Sequence, residues 1–118
     1  MHKIRYTTAR SLDRMSELWE HSDVVRCTHP GWPTLKGWGA VSASFFNLFQ
    51  AETGLQFLLL DTEVRLEGNV ALVFCTENIL GQRPGLMVSS LNIFCLDRFE
   101  YRWRLISHQA SISNESFG

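Results

Sequence analysis

Four long apolar segments in the second half of the chain restrict its fold more than any other feature. They span residues 56–66, 70–79, 86–96 and 103–111, and they show the two-residue period or the continuous apolar run of β-strands. Each is longer than the usual strand of about five or six residues, and long strands in a twisted sheet curl. The sequence therefore predicts a curved antiparallel sheet, in which Glu67-Gly68-Asn69 closes one hairpin.

Two helices are predicted before these strands. Ser11 is a candidate N-cap, and the apolar residues that follow share one helical face: Leu12, Met15, Leu18 and Trp19. The second helix covers residues 40–50 and carries an apolar stripe typical of a core-facing helix: Val41, Phe45, Phe46, Leu48 and Phe49. Residues 1–10 are weakly patterned, with three residues on one side of a short helix: Ile4, Tyr6 and Ala9.

Residues 24–49 are predicted to form a strand, a corner and a helix. The apolar run 24–27 breaks at His29-Pro30-Gly31-Trp32 and then turns towards the second helix. Two aromatic rings, Trp32 and Trp38, and the titratable ring of His29 are therefore brought together where the chain changes direction. If the fold has a pocket, we expect its wall or mouth at this corner.

The composition fits one globular domain over residues 1–118. A formal charge of -1 provides no basic footprint, so nucleic acid is not an expected partner. No apolar run reaches the roughly 20 residues of a bilayer helix, and residues 1–10 lack the apolar centre of a signal peptide. We therefore expect a cytoplasmic protein that does not bind membranes.

Cys27, Cys75 and Cys95 are widely spaced and lie among strand-like apolar residues. Because the sequence has no C-x-x-C pair and no cluster of metal ligands, it predicts neither a metal site nor a redox pair, and no cofactor. Buried, reduced thiols are expected. The sequence also lacks a nucleophile elbow and a glycine-rich phosphate loop, which argues against hydrolases and kinases.

The order of elements and three segments carry a resemblance to a known family. The segments LDRMSELW, VVRCTHPGWPTLKGW and WRLISHQAS resemble the SnoaL-like branch of the nuclear transport factor two-like superfamily, which also contains ketosteroid isomerase. The resemblance implies an α+β, cystatin-like cone in which N-terminal helices close a curved antiparallel sheet. It also implies a pocket between helices and sheet, and a homodimer. It does not imply one activity, because members include isomerases, cyclases, hydratases and scaffolds.

Two features of that family are not matched here. Relatives often carry several histidines in the last strand, whereas this chain has Ser107, His108 and Gln109. The carboxylate and the tyrosine that the isomerases use have no assigned counterpart in this sequence. Tyr6 lies in the region of that tyrosine and is kept as a candidate.

Seven residues are candidates for lining the pocket: His29, Trp32, Trp38, Asn92, Ser107, Gln109 and Tyr6. His29 is the candidate catalytic group, because Pro30 holds its backbone extended and its ring can act as a base or a hydrogen-bond donor. The alternative is a corner histidine bonded to a backbone carbonyl. Trp32 and Trp38 either cap an apolar ligand or pack the corner. Asn92 is either a ligand contact or a satisfied core amide.

The last strand has two faces, and only one of them can line the cone. Trp103 and Leu105 are the better core residues, which places Ser107 and Gln109 in the pocket and His108 on the outer face. An outer His108 fits a contact between two sheets. Several strands are apolar on both faces, which predicts a homodimer through the outer face of the sheet.

Two functions of different classes remain. In the first, the cone binds a small apolar or aromatic molecule, and the protein either only binds it or also isomerises or hydrates it. In the second, a non-catalytic dimeric module works through its surface and fills the cone with its own side chains. Polar residues at inward positions favour the first. Asp61, Glu63 and Glu77 are expected to be solvated or interface charges rather than general bases.

Overall fold

Two helices lie against a sheet built mainly from four long strands. The computed structural model describes residues 5–51, 56–80 and 86–113, and it describes side chains over 13–50, 58–79 and 86–113. The helices are α1 (Thr8–Leu18) and α2 (Trp38–Ala51). The strands are β1 (Arg5–Thr7), β2 (Arg26–Thr28), β3 (Leu35–Lys36), β4 (Gln56–Glu67), β5 (Val70–Leu80), β6 (Leu86–Asp97) and β7 (Arg102–Ile112).

These strands form one sheet in the order β1-β4-β5-β6-β7-β2-β3. The pair β2 and β7 is parallel, and the other neighbouring pairs are antiparallel. The parallel pairing sets Cys27 beside His108 and Thr28 beside Gln109, so it joins the corner to the last strand. The predicted α+β class and the curved sheet closed by helices are confirmed.

The local predictions are right where the pattern is long. Each long strand begins and ends within one residue of its predicted bounds, whereas α1 begins at Thr8 rather than at Ser11. The short strands β1 and β3 were not predicted, and residues 5–7 are a strand rather than part of a helix. Such short strands form because a neighbouring strand exchanges hydrogen bonds with them, and the local sequence does not show which strand that is.

The hydrophobic core lies between the two helices and the sheet. Its buried members come from both helices, from the corner and from β7: Trp19, Val25, Cys27, Val41, Phe45, Phe49 and Leu105. Trp19 is fully buried, with its ring 6.2 Å from that of Trp38 and 6.2 Å from that of Phe45, measured between centroids. Burial of a large apolar side chain contributes about 1.5–3 kcal/mol, so this cluster holds the helices on the sheet.

Two irregularities interrupt the sheet. The pairing of β4 with β5 shifts between Leu60 and Glu63, where Asp61 has a φ of 49°. The pairing of β6 with β7 shifts between Ile93 and Phe94, so that Ile106 is an extra residue on β7. A bulge of one residue reverses which side chains face the core beyond it.

Neither helix in the described ranges is long and apolar enough to cross a membrane.

Two valines in strands provide a matched test of the core. Val88 is 1% exposed and Val64 is 62% exposed. Val88→Ala should lower the free energy of unfolding by about 2 kcal/mol, because it removes buried methyl groups and leaves a cavity. Val64→Ala should change it by less than about 0.5 kcal/mol. Urea unfolding of the two variants would measure both values, and equal losses would contradict the difference in burial between these two valines.

Candidate functional site

The concave face of the sheet carries a group of buried polar side chains. In β6, Ser90 and Asn92 are buried, and both point to the same side as Val88, which is fully buried. Asn92 lies between Val73 of β5 and His108 of β7 in the strand register. Together with His29 and Ser44 from the opposite wall, Ser90 and Asn92 are the buried polar residues of the described chain.

His108 lies inside the cone, which corrects the expectation that it would face outward. Its Nδ1 lies 2.5 Å from Oδ1 of Asn92. The bulge at Ile106 is the cause, because Leu105 faces the core before it and His108 faces the core after it. Ser107 and Gln109, which were predicted to line the pocket, therefore lie on the outer face of the sheet.

The hydrogen bonds of Asn92 fix the proton on His108. The side-chain amide of Asn92 donates to Val73 O at 3.3 Å and to Ser90 Oγ at 3.1 Å. Its Oδ1 is therefore left as an acceptor, and Nδ1–H of His108 donates to it. In the neutral ring this leaves Nε2 with a lone pair, and no residue in the described part of the chain donates a hydrogen bond to it. His108 is thus an oriented acceptor on the concave face.

The environment of His108 keeps its ring neutral. Burial, and to a smaller extent repulsion from a positive charge on His29, lowers the pKa of His108 from 6.5 to about 4. The two histidines are therefore close enough for their charges to interact. Such a ring accepts a hydrogen bond at neutral pH but is a weak general base, because its affinity for a proton is low.

His29 is buried and tied to α2. Its Nε2 lies 2.8 Å from Ser44 Oγ, and the Ser44 hydroxyl donates to Val41 O at 2.7 Å. Since the hydroxyl proton is already used, Nε2–H of His29 is the donor to Ser44. The ring also meets Trp32 edge-on, with centroids 4.9 Å apart, and Phe45, with centroids 4.8 Å apart. Burial lowers the pKa of His29. Its partner is a side chain, rather than the backbone carbonyl of the alternative reading.

The two tryptophans of the corner occupy different places. Trp32 is exposed and contacts His29. Trp38 begins α2, stacks on His21 with centroids 4.3 Å apart, and packs against Trp19. The side chain of Tyr6 lies outside the described residues, although its backbone pairs with β4. The structure thus brings together His29 and Trp32, and separately Asn92 and His108.

Glu77 and Cys75 are site residues that sequence reasoning did not assign. They alternate with Val73 on β5 and therefore share the concave face with Asn92. Cys75 Sγ lies 3.2 Å from Ser90 Oγ. Burial raises the pKa of Glu77, and burial is also the largest cause of the raised pKa of Cys75. The two-residue period from Val73 to Glu77 was the signal that could have placed Glu77 inside.

The site offers hydrogen bonds and proton exchange rather than nucleophilic attack. Burial raises the pKa of Cys27 to about 12, so its thiol stays protonated at neutral pH. Cys27 and Cys75 are buried free thiols, as predicted, whereas Cys95 is only partly buried. Over the ranges that the structure describes, no three histidine, cysteine or carboxylate side chains lie close enough together to hold a metal ion.

Comparison with known proteins agrees with the fold. The sequence profile of the SnoaL-like domain matches residues 3–115. The chain belongs to the SnoaL-like family. A nuclear transport factor two-like protein from Streptomyces avermitilis, whose description proposes a dehydratase, is 34% identical over 90% of this chain and 86% of its own, with a TM-score of 0.78. The predicted membership of this superfamily is therefore confirmed.

Two further proteins are similar to this chain. A structure from Parabacteroides distasonis, described as a proposed ketosteroid isomerase, has a TM-score of 0.69 and 12% identity over 91% of this chain and 86% of its own. At that identity the likeness shows the fold alone. The F-box protein SKIP8 of Arabidopsis thaliana is 26% identical over 87% of this chain. The chain spans 43% of that relative, less than half of its length.

The buried histidines predict a dependence of stability on pH. A histidine whose pKa is lowered by folding contributes its full stability above the ordinary value of 6.5, and this contribution is lost as the pH falls towards about 4. For His108 the loss should be on the order of 3 kcal/mol. His108→Gln should flatten the decline between these pH values, and chemical unfolding at a series of pH values measures it. His21→Gln, at an exposed histidine, should keep the wild-type slope, and an unchanged slope in His108→Gln would contradict the burial of His108.

Proposed function

We propose that the protein binds a small, uncharged apolar or aromatic molecule in the cone, and that the molecule donates a hydrogen bond to His108. The observation that carries this proposal is the lone pair on Nε2 of His108, which has no donor among the described residues. Asn92 holds Nδ1 at 2.5 Å and so fixes the direction of the ring. An acceptor that is held in place and receives no hydrogen bond from the described residues is suited to a ligand that carries a hydroxyl group.

The charges in the site favour an uncharged ligand. Burial lowers the pKa of both His29 and His108, so neither ring provides a positive charge for an anion at neutral pH. The polar wall is surrounded by apolar and aromatic side chains, including Phe45 and Val88, which reward the burial of an apolar ring. His29, already bonded to Ser44 at 2.8 Å, is better placed to hold the corner than to exchange a proton.

We propose further that the protein isomerises or hydrates the molecule that it binds. Glu77 is the group suited to it, because a carboxyl group whose pKa is raised by burial is closer to the range in which it can both take and give a proton near neutral pH. Solvent deuterium would then enter a bound hydroxyketone next to its carbonyl group, and it would not do so in Glu77→Gln. Without such exchange in the wild type, the proposal reduces to binding.

A pair of matched probes tests the binding proposal. 2-Naphthol and naphthalene share their ring system, and only the first can donate a hydrogen bond. The wild type should bind 2-naphthol roughly five- to tenfold more tightly, which is the difference expected for one hydrogen bond to a buried acceptor. In His108→Phe, which keeps a ring but lacks the acceptor, the two probes should bind equally. Affinities can be measured by NMR titration.

A control variant and a contrary outcome make the test specific. Gln109→Ala lies on the outer face, so it should keep the preference for 2-naphthol. If the wild type binds neither probe, the alternative holds: the cone is filled by its own side chains and the protein works as a surface module. If both probes bind with the same affinity to the wild type and to His108→Phe, His108 is not the ligand contact.

We also propose a two-fold homodimer through the outer face of the sheet. In the strand register Leu72, Ile93 and Ser107 form one row on this face, and the next row joins Phe74 and Leu91 to Gln109. Phe74 is 40% exposed in the single chain. Four large apolar side chains on a face that the cone cannot bury are suited to a self-complementary contact.

The free thiols also suit the reducing cytoplasm that we propose as the location.

The dimer is tested by mass. Sedimentation equilibrium at micromolar concentration should give about twice the 13.6 kDa of one chain. Phe74→Glu should reduce the mass to that of one chain, because it buries an unpaired charge at the two-fold contact. Val64→Glu introduces the same charge at an exposed valine away from this face and should leave the dimer intact. A wild-type mass near that of one chain would overturn the proposal.

A further inference from the structure

The turn between β6 and β7 presents two aromatic rings to solvent. We define the β6–β7 tip as residues 98–102. Phe99 is 98% exposed and Tyr101 is 82% exposed, which makes them the most exposed large hydrophobic residues in the described part of the chain. Isolated exposed apolar residues are ordinary, but two rings at one turn form a patch that associates with other surfaces.

The β6–β7 tip is held in one conformation. Oδ1 of Asp97 accepts the backbone N–H of Phe99 at 2.9 Å and that of Glu100 at 3.4 Å. Arg104 pairs with both Asp97, at 3.8 Å, and Glu100, at 2.5 Å. Tyr101 has a φ of 52°, a left-handed conformation that costs a residue with a Cβ about 1–2 kcal/mol. A turn that fixes its rings before contact loses less entropy on binding.

A groove between α1 and α2 has the complementary character. Its volume is about 400 Å³, and its walls are mainly apolar, with four large side chains: Met15, Trp38, Phe45 and Phe46. Phe46 is 51% exposed although it belongs to an otherwise well-packed helix. Asp13 also lines the groove and is exposed. The groove is therefore an aromatic depression with a carboxylate at its edge.

The charges of the tip and of the groove are opposite. Arg104 binds the two carboxylates beside the tip, which leaves Arg98 and Arg102 as its outward charges. In the described part of the chain Arg98 forms no ion pair, and Arg102 is bonded only to the backbone oxygen of Glu17, at 3.4 Å. Asp13 likewise has no ion-pair partner among the described residues.

We propose that the β6–β7 tip of one molecule docks in the α1–α2 groove of a second copy. Phe99 and Tyr101 then enter the aromatic groove, and Arg98 approaches Asp13. The tip does not occupy the groove of its own molecule, because Phe99 is almost fully exposed. The contact joins two different surfaces, so it is heterologous and repeats from copy to copy until a ring closes or a chain grows. This proposal is independent of the small-molecule site and of the two-fold dimer.

The contact is small, so the association is weak and depends on concentration. Interfaces well below about 1,200 Å² are typical of transient complexes. Sedimentation velocity from low micromolar to roughly 0.5 mM protein should show a mass that rises beyond the mass found at the lowest concentration. The double variant Phe99→Ser with Tyr101→Ser, which lacks the tip rings, should lose this rise, with affinity reduced roughly tenfold or more. Phe46→Ser, in the groove, should have the same effect.

Mixing and charge exchange provide the decisive controls. In the Phe74→Glu background, in which the two-fold dimer is removed, a mixture of the tip variant and the Phe46→Ser variant retains one intact contact per pair, so it should form a discrete complex that does not grow. Asp13→Arg and Arg98→Asp should each weaken the assembly, and the variant that carries both changes should regain it. Val64→Ser removes an exposed apolar side chain elsewhere and should assemble like the wild type. A wild-type mass that does not change with concentration, or a tip variant that still assembles like the wild type, would overturn the proposal.

Discussion

One extra residue in the last strand determines what the interior of this protein contains. The bulge at Ile106 lets Leu105 face the hydrophobic core and then turns His108, rather than Ser107, towards the same side. Without it, Asn92 would have no imidazole partner, and His108 would lie on the outer face of the sheet. The polar lining of the cone and the composition of the outer face therefore both depend on a local irregularity of pairing.

The interior that results is polar but almost fully hydrogen-bonded. Asn92 joins β5, β6 and β7 through Val73, Ser90 and His108, while His29 joins the corner to α2 through Ser44. Buried polar groups that satisfy one another fix a unique arrangement, and an unused group within such a network stands out. In the described chain the indole Nε1 of Trp19 is such a group, because it is buried without a partner.

The sequence was sufficient for the features that repeat and insufficient for those that occur once. The long strands and α2 could be predicted, because their apolar periods extend over many residues. Asn92 could be identified as an inward polar residue for the same reason, whereas His29 was a candidate because of its place in the corner before Pro30. The orientation of His108 could not be predicted. The bulge at Ile106 appears only in the pairing of β7 with β6, and the alternation of residues along β7 does not indicate it. Glu77 was predicted to lie at the surface because a carboxylate is usually solvated. It lies four residues after Val73, however, and therefore on the same face of β5.

The parallel pairing of β2 with β7 has a consequence for the synthesis of the chain. β2 lies near the beginning and β7 follows all the other strands, so the corner with His29 cannot meet His108 until the ribosome has released β7. Until then β2 has an unpaired edge, which is open to wrong partners. The two walls of the cone thus close by a contact between distant parts of the chain, and distant contacts form slowly. The corner and the last strand can for this reason meet only after every strand of the sheet has been synthesised.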